Sequence, residues 1–474
     1  MTRRTPWLAL LALAWLADPA AAEHVRVRAG ESIAAALAVV SPGSVIEVEP
    51  GVYHEALVVD TPNITLRGIV RGTERPVLDG RGQLNDGVIA SGSPFTMTGF
   101  ALRHYKGNGV TTQGVDGVFL TDLVVDDTGL YGVYPVQSRN ITVTHCTVTR
   151  IRDAGIYVGE SHGALVAMNY VHHNVAGIEI ENTNDVEVRD NLTHDNTAGI
   201  LVFVLPGKVV KEGKRIRVHR NWVVRNNTPN FGDPESIVGS LPHGIGILLM
   251  GVDDTVVENN QVRENGSLGV AITRLAEKHA KKDPPLEPMT DGARIVANHL
   301  DANGSAPHQV ILEGYGAGGD FGWDGTGRGN CADLADGAKP VGVPIPGCLE
   351  ATAPAPALAH TGHAPAEPAQ PLPPPDLSGA AAVVHIRGMR FEPRHVTVKE
   401  GETVVWVNDD NVVHTITSGK GTLPSHEPLS SPFLVRGQSF RHTFGEEGKY
   451  EYLCLPHLDQ AAMRGATVTV TVSE

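Results

Sequence analysis

The chain has 474 residues, with 53 glycines, 32 prolines and only 5% aromatics, and its formal net charge is −15. That length exceeds one ordinary hydrophobic core, so several domains or a repeat array are expected. The glycine and proline content favours tight turns and small or β-branched packing over large helices. The acidic balance argues against nucleic acid, whose phosphates need lysine and arginine.

Residues 1–22 read as a secretory leader. Arg3 and Arg4 precede an apolar run from Trp7 to Leu16, and Ala20-Ala21-Ala22 offers a small-residue cleavage site before Glu23. The arginine pair also fits a twin-arginine leader, but nothing else in the stretch supports one, so general export is favoured. No later segment has the apolar length needed to cross a bilayer. The mature protein is therefore expected to be periplasmic or secreted, without a membrane span.

Glu31 to Val40 is alanine-rich and predicts a short helix, ended by Ser41-Pro42-Gly43. A strand and turn through Pro50-Gly51-Val52-Tyr53 follow. From there a glycine leading alternating apolar residues recurs at Gly109, Gly132, Gly155, Gly177, Gly199, Gly246 and Gly269, in steps of 23, 23, 22, 22, 47 and 23 residues. The long step reads as one repeat carrying two insertions, near Leu205–Lys214 and Thr228–His243. A second series runs in phase: asparagine pairs five apart at Asn169/Asn174, Asn191/Asn196, Asn221/Asn226, Asn260/Asn265 and Asn298/Asn303. Asparagine tolerates left-handed backbone and its amide bonds to copies above and below, so a stacked ladder is predicted.

A period near 22 with several short strands per repeat is one coil of a parallel β-helix, because a coil cannot bury its apolar face until neighbours stack on it. The segments Gly155-Ile-Tyr-Val-Gly-Glu-Ser, Gly177-Ile-Glu-Ile-Glu-Asn, Gly199-Ile-Leu-Val-Phe and Asn227-Thr-Pro-Asn-Phe resemble bacterial secreted right-handed parallel β-helix repeat proteins of pectin-lyase-like fold. That group is similar to periplasmic mannuronan epimerases and to copper-linked β-helix proteins of nitrous-oxide reductase assembly. The resemblance implies the fold of residues 23–304 and says little of activity, since such folds host enzymes and inert scaffolds alike.

Counting outward positions after each repeat glycine aligns Tyr134, Tyr157 and Glu179 on one face, with Glu160 and Glu181 close by. Aromatic rings beside carboxylates suit a sugar-binding face and acid–base chemistry; an ordinary solvent-facing row is the competing reading. His172 and His173, with His145, His194 and His219 in neighbouring coils, form a second candidate cluster, set against ordinary polar turn residues. The Asp-Pro-His-Asp stretch of epimerases and the acidic calcium cluster of pectate lyases are not found, which weakens the enzyme reading.

Export places four cysteines in an oxidising compartment. Cys331 and Cys348 bracket a glycine- and proline-rich loop within the expected cap 305–350, where a disulfide would contribute about 3 kcal/mol on the loop-entropy model. Cys146 lies in a strand pattern and reads as a buried thiol, which leaves Cys454 for metal. Residues 351–378, rich in alanine and proline, cannot bury a core and read as an extended tether. Its His360 and His363 are weak copper contacts at most.

Residues 379–474 show period-two strands joined by Gly, Pro, Asp and Asn turns, as a β-sandwich requires. The run to Tyr452-Leu453-Cys454 delivers a thiolate at a strand end, followed by His457 and Met463, with His414 some forty residues earlier. One thiolate, two imidazoles and a thioether make a soft mixed donor set that suits copper, in the blue-copper electron-transfer pattern. This stretch is similar to the small cupredoxins, the plastocyanin, pseudoazurin and amicyanin group. The resemblance implies one type 1 copper held by His414, Cys454, His457 and an axial Met463. Two departures stand out: a long His457-to-Met463 loop, and Thr415 where asparagine is common.

The sequence thus predicts an all-β protein, a right-handed parallel β-helix followed by a small cupredoxin β-sandwich. Its expected role is one-electron transfer with a periplasmic redox partner, the β-helix serving as scaffold or as a polymer- or partner-binding domain. A polysaccharide lyase or epimerase acting on uronates, with the copper domain appended, is the alternative. A copper-handling scaffold for maturation of a periplasmic oxidoreductase is a further one.

Overall fold

A computed structural model describes residues 22–71, 74–283, 285–348, 375–410, 414–420, 423, 424, 429, 431, 434, 437–454, 457 and 460–472. The leader, apart from Ala22, and most of the Ala/Pro-rich tether, with His360 and His363, lie outside them.

Short strands stack into three parallel sheets of twelve, eleven and ten strands, each coil giving one strand to each sheet. The register explains the repeat. Ile156 pairs with Ile178, Ile178 with Ile200, Ile200 with Ile247 and Ile247 with Val270, and all five are fully buried. A coil alone would leave this column half exposed; stacking removes it from water, which stabilises by about 2 kcal/mol per side chain. The repeat glycines are fixed by close approach rather than by left-handed backbone. A Cβ on Gly132, Gly177 or Gly199 would lie 2.5 Å from the carbonyl oxygen of the next repeat glycine.

Both asparagine columns form. Asn169 Nδ2 donates to Asn191 Oδ1 at 3.0 Å, Asn191 to Asn221 at 3.0 Å, and Asn221 to Asn260 at 3.0 Å. The second column runs from Asn174 through Asn196, Asn226 and Asn265 to Asn303, which donates to Asp320 Oδ1 at 2.9 Å. One expectation is corrected. The ladder asparagines are not themselves left-handed; the residue before each one is, from Met168 and His173 to Ala297 and Ala302, with φ between 51° and 56°. Cys146 occupies the column one coil before Asn169, and its N–H donates to Asn169 Oδ1 at 3.0 Å.

The long glycine step is a single coil: Ala198–Phe203 pairs directly with Ile245–Met250. Its two insertions leave the cylinder between Phe203 and Ile216 and between Val224 and Ile245. The first helix is shorter than its alanine content suggests, Ile33–Leu37, capped by Ser32 and by Glu55, whose carboxylate accepts the Ile33 and Ala34 N–H groups. The parallel sheets also run on past residue 304. Gly319–Trp323 and Pro340–Gly342 extend one sheet, and Cys331–Ala332 ends another. Cys331 is disulfide-bonded to Cys348.

The C-terminal part is a sandwich of a four-stranded and a five-stranded sheet. Trp406, Tyr452, Phe444, Val404 and Val468 fill the space between them, with Trp406 and Tyr452 edge to face at 5.5 Å. Leu453, next along the same strand, points to the opposite side from Tyr452. It is fully buried against Tyr170 and Leu192 of the β-helix, with Trp222 alongside.

Candidate functional site

Strand Gly448–Leu453 is paired along its length with Ala466–Thr471, so its end is a fixed point from which Cys454 is presented. The Cys454 N–H donates to the Met463 carbonyl at 2.9 Å, and the His457 N–H to the Cys454 carbonyl at 3.2 Å. These bonds close the loop. A 3₁₀ turn at Ala461–Met463 takes up the extra loop residues, and Met463 is fully buried in the same core as Cys454. His414 comes from an isolated bridge to Leu434.

The three strong donors converge. Cys454 Sγ lies 3.5 Å from His414 Nδ1 and 3.4 Å from His457 Nδ1, and the ligand atoms of all three lie within 4.8 Å of one another. His414 Nε2 is 3.0 Å from Asp410 Oδ2, which fixes the ring and leaves Nδ1 facing the sulfur. The Thr415 N–H donates to Sγ at 3.3 Å, so the residue that departs from the cupredoxin pattern still serves the sulfur through its backbone. His414 and Cys454 are fully buried, while His457 reaches the surface layer. Burial pushes the Cys454 thiol up to about 12 and holds the His414 imidazole below its ordinary value against the pull of Asp410. A dry pocket with a neutral imidazole and a hydrogen-bonded sulfur fits a soft cation that replaces the thiol proton.

Comparison with known proteins agrees with that donor set. The family model "Copper binding proteins, plastocyanin/azurin family" matches residues 379–471. The amicyanin of Paracoccus versutus is 33% identical over 99 residues, covering 21% of this chain and 72% of that protein. The chain belongs to the plastocyanin/azurin family. The plastocyanin of Scenedesmus fuscus is 41% identical over 85 residues, 17% of this chain and 85% of its own. A solved purple cupredoxin from Nitrosopumilus maritimus is 32% identical and covers 19% of this chain and 99% of its own, with a TM-score of 0.17. Upstream of the cupredoxin module, a model described as "Right handed beta helix region" matches residues 86–232.

The candidate residues of the β-helix are brought together only in part. Tyr134 and Tyr157 pack edge to face at 4.9 Å, and Tyr157 neighbours Glu179 in register. The row is not the solvent-facing one that strand alternation implies: Tyr157 is 1% exposed, Glu179 4% and Glu181 3%. The first insertion folds over them, bringing Lys208 Nζ to 2.9 Å from Glu181 Oε1. Its Val209 N–H donates to Glu160 at 2.6 Å. Three residues missed in the sequence complete the cluster. Tyr131 stacks on Tyr134 at 4.4 Å and hydrogen-bonds to Asp153, and Lys208 is the third. Tyr131 lies one residue and Asp153 two residues before a repeat glycine, so no common offset marks them in the sequence.

The histidines split into two places. His172 and His173 meet with their Nδ1 atoms 2.7 Å apart, and the His172 ring stacks on His194 at 5.1 Å. His194 is already bound, by Asp195 at 2.6 Å and Tyr170 at 3.0 Å. His145 and His219 lie at a different corner, where strands of another sheet end, and His219 Nε2 is 2.7 Å from Glu187.

Proposed function

We propose that this protein is an exported one-electron carrier, binding one type 1 copper at His414, Cys454, His457 and Met463. The observation that carries the reading is the buried convergence of two imidazoles on one thiolate sulfur. Copper bound there supplies a Cu(I)/Cu(II) couple. The chain's own residues do the rest. Asp410 orients His414, the Thr415 N–H tempers the sulfur's charge, and the Trp406–Tyr452 core excludes water. Since strand pairing and loop closure hold the donors in place, little rearranges when the charge changes. His457, nearest the surface, is the exposed edge toward a periplasmic redox partner. The secretory leader supports export, and the β-helix serves as the scaffold that binds a polymer or partner beside the copper module.

Copper-loaded protein should show an intense visible thiolate-to-copper band and a reversible redox wave, both abolished by Cys454→Ser. Copper-loaded parent protein lacking both signals would refute the assignment.

A further inference from the structure

Five residues stand between His457 and Met463, and a longer loop has more conformations to hold back. Its own backbone restrains part of it. The Gln460 N–H donates to the His457 carbonyl at 3.0 Å and the Met463 N–H to the Gln460 carbonyl at 2.9 Å. These bonds close the turn on itself, and a tie to the rest of the sandwich comes from Arg394.

Arg394 stands directly before the strand His395–Lys399, which pairs in parallel with Ala466–Thr471. Its carbonyl accepts the Thr467 N–H at 3.0 Å, and His395 Nδ1 lies 2.9 Å from Thr467 Oγ1, so the backbone that carries the side chain is fixed. The guanidinium lies close over Gly465, where a Cβ would meet Nη2 at 3.4 Å. From there Nη1 donates to the Ala462 carbonyl at 3.5 Å, while Nη2 donates to the Ala461 carbonyl at 3.4 Å and to the Arg464 carbonyl. One side chain thus grips the backbone on both sides of Met463. A short 3₁₀ turn cannot satisfy its last carbonyls by itself. A planar fork of five donors serves several of them at once, which a single ammonium does not.

We propose that Arg394 is a positioning residue for the copper site, holding Met463 in its axial place through the carbonyls of Ala461, Ala462 and Arg464. This role rests on the type 1 copper reading and deepens it, since it supplies the restraint that the long loop lacks. Arg394 is exposed, so its contribution to the stability of the whole domain is small. Its effect is local. Without it the turn is free to carry Met463 outward, and a thioether that withdraws stabilises Cu(II) less, which raises the reduction potential. Loss of the positive charge alone acts in the opposite sense, because a nearby cation disfavours the more highly charged Cu(II). The sign of the shift therefore separates positioning from charge.

The test compares Arg394→Ala and Arg394→Lys with the parent as full-length protein. Copper-loaded samples are read by voltammetry and visible absorption, and copper-free samples by hydrogen exchange at the Cys454 and Met463 amides. Both variants should show a higher potential and a shifted visible band, Arg394→Lys included because it keeps the charge and loses the fork. Copper-free Arg394→Ala should exchange the two amides about fivefold faster, the worth of one ordinary hydrogen bond. Unchanged potentials in both variants, or unchanged exchange, would overturn the proposal. So would a lower potential in Arg394→Ala with Arg394→Lys at the parent value, which marks a charge effect. A parent protein without the visible band and redox wave would instead overturn the copper reading, and this role with it.

Discussion

Glu179 is a carboxylic acid held where a carboxylate is costly. Fully enclosed beneath the Lys208 insertion, it is raised well above the ordinary range by burial, then by the charges of Asp153 and Glu181, with Lys208 opposing. Folding therefore retains a proton that the unfolded chain releases near pH 4. The stability this contributes is fully present below the unfolded value and is lost as pH rises through the higher folded value. Glu179→Gln keeps the shape and has no proton to lose. Urea melts should show variant and parent alike near pH 4 and the variant the more stable near pH 8. A variant weaker than the parent at the higher pH would mean that Glu179 is ionised and serves as a partner to Lys208. Strand alternation marked Tyr157 and Glu179 as outward residues, and they are. Period-two reading tells which side of a sheet a residue occupies, not whether an insertion thirty residues later covers that side.

At the scale of the coil, the repeat was legible because its constraints recur at fixed offsets. Each repeat glycine is forced by the next coil's carbonyl 2.4–2.9 Å from its would-be Cβ, and each ladder asparagine by buried backbone it must satisfy. Left-handed backbone is not what selects the asparagines. The turn's left-handed residue varies freely among Met, His, Asp, Arg, Asn, Glu and Ala, so it leaves no signature in the sequence, while the asparagine after it does. Asn221 shows what the column carries. Its Oδ1 accepts from the Asn191 N–H and Nδ2, and its own Nδ2 donates to the Val188 carbonyl and to Asn260. Asn221→Ala strands these fully buried groups and should cost about 3 kcal/mol, given 1–3 kcal/mol for each unsatisfied buried group. Asn298 ends its column with no asparagine beyond it, yet its Oδ1 accepts the Asn260 N–H and Nδ2 and its Nδ2 donates to the Val257 and Val296 carbonyls, so Asn298→Ala should cost about as much. Denaturant midpoints test the pair; a much smaller loss at Asn298 would show that the ladder acts through its continuity rather than through the bonds of each amide.

At the scale of the molecule, donor order and repeat period announced two modules, but nothing in the sequence announced how they meet. Leu453 alternates with Tyr452, so the strand pattern assigns it to the outer face of the sandwich. There it is fully buried, because Tyr170 and Leu192 cover it. The residue joined covalently to Cys454, the thiolate of the proposed copper site, is thus the residue that seats the cupredoxin module on the β-helix. An apolar side chain of this size contributes about 2 kcal/mol when removed from water. Leu453→Glu places a charge in that seat, where it finds no solvent unless the modules part. Small-angle scattering of the full chain should then show a larger maximum dimension, while the visible copper band persists because the donors lie on the other side of the strand's end. An unchanged scattering profile with the band intact would show that Leu453 does not hold the modules together.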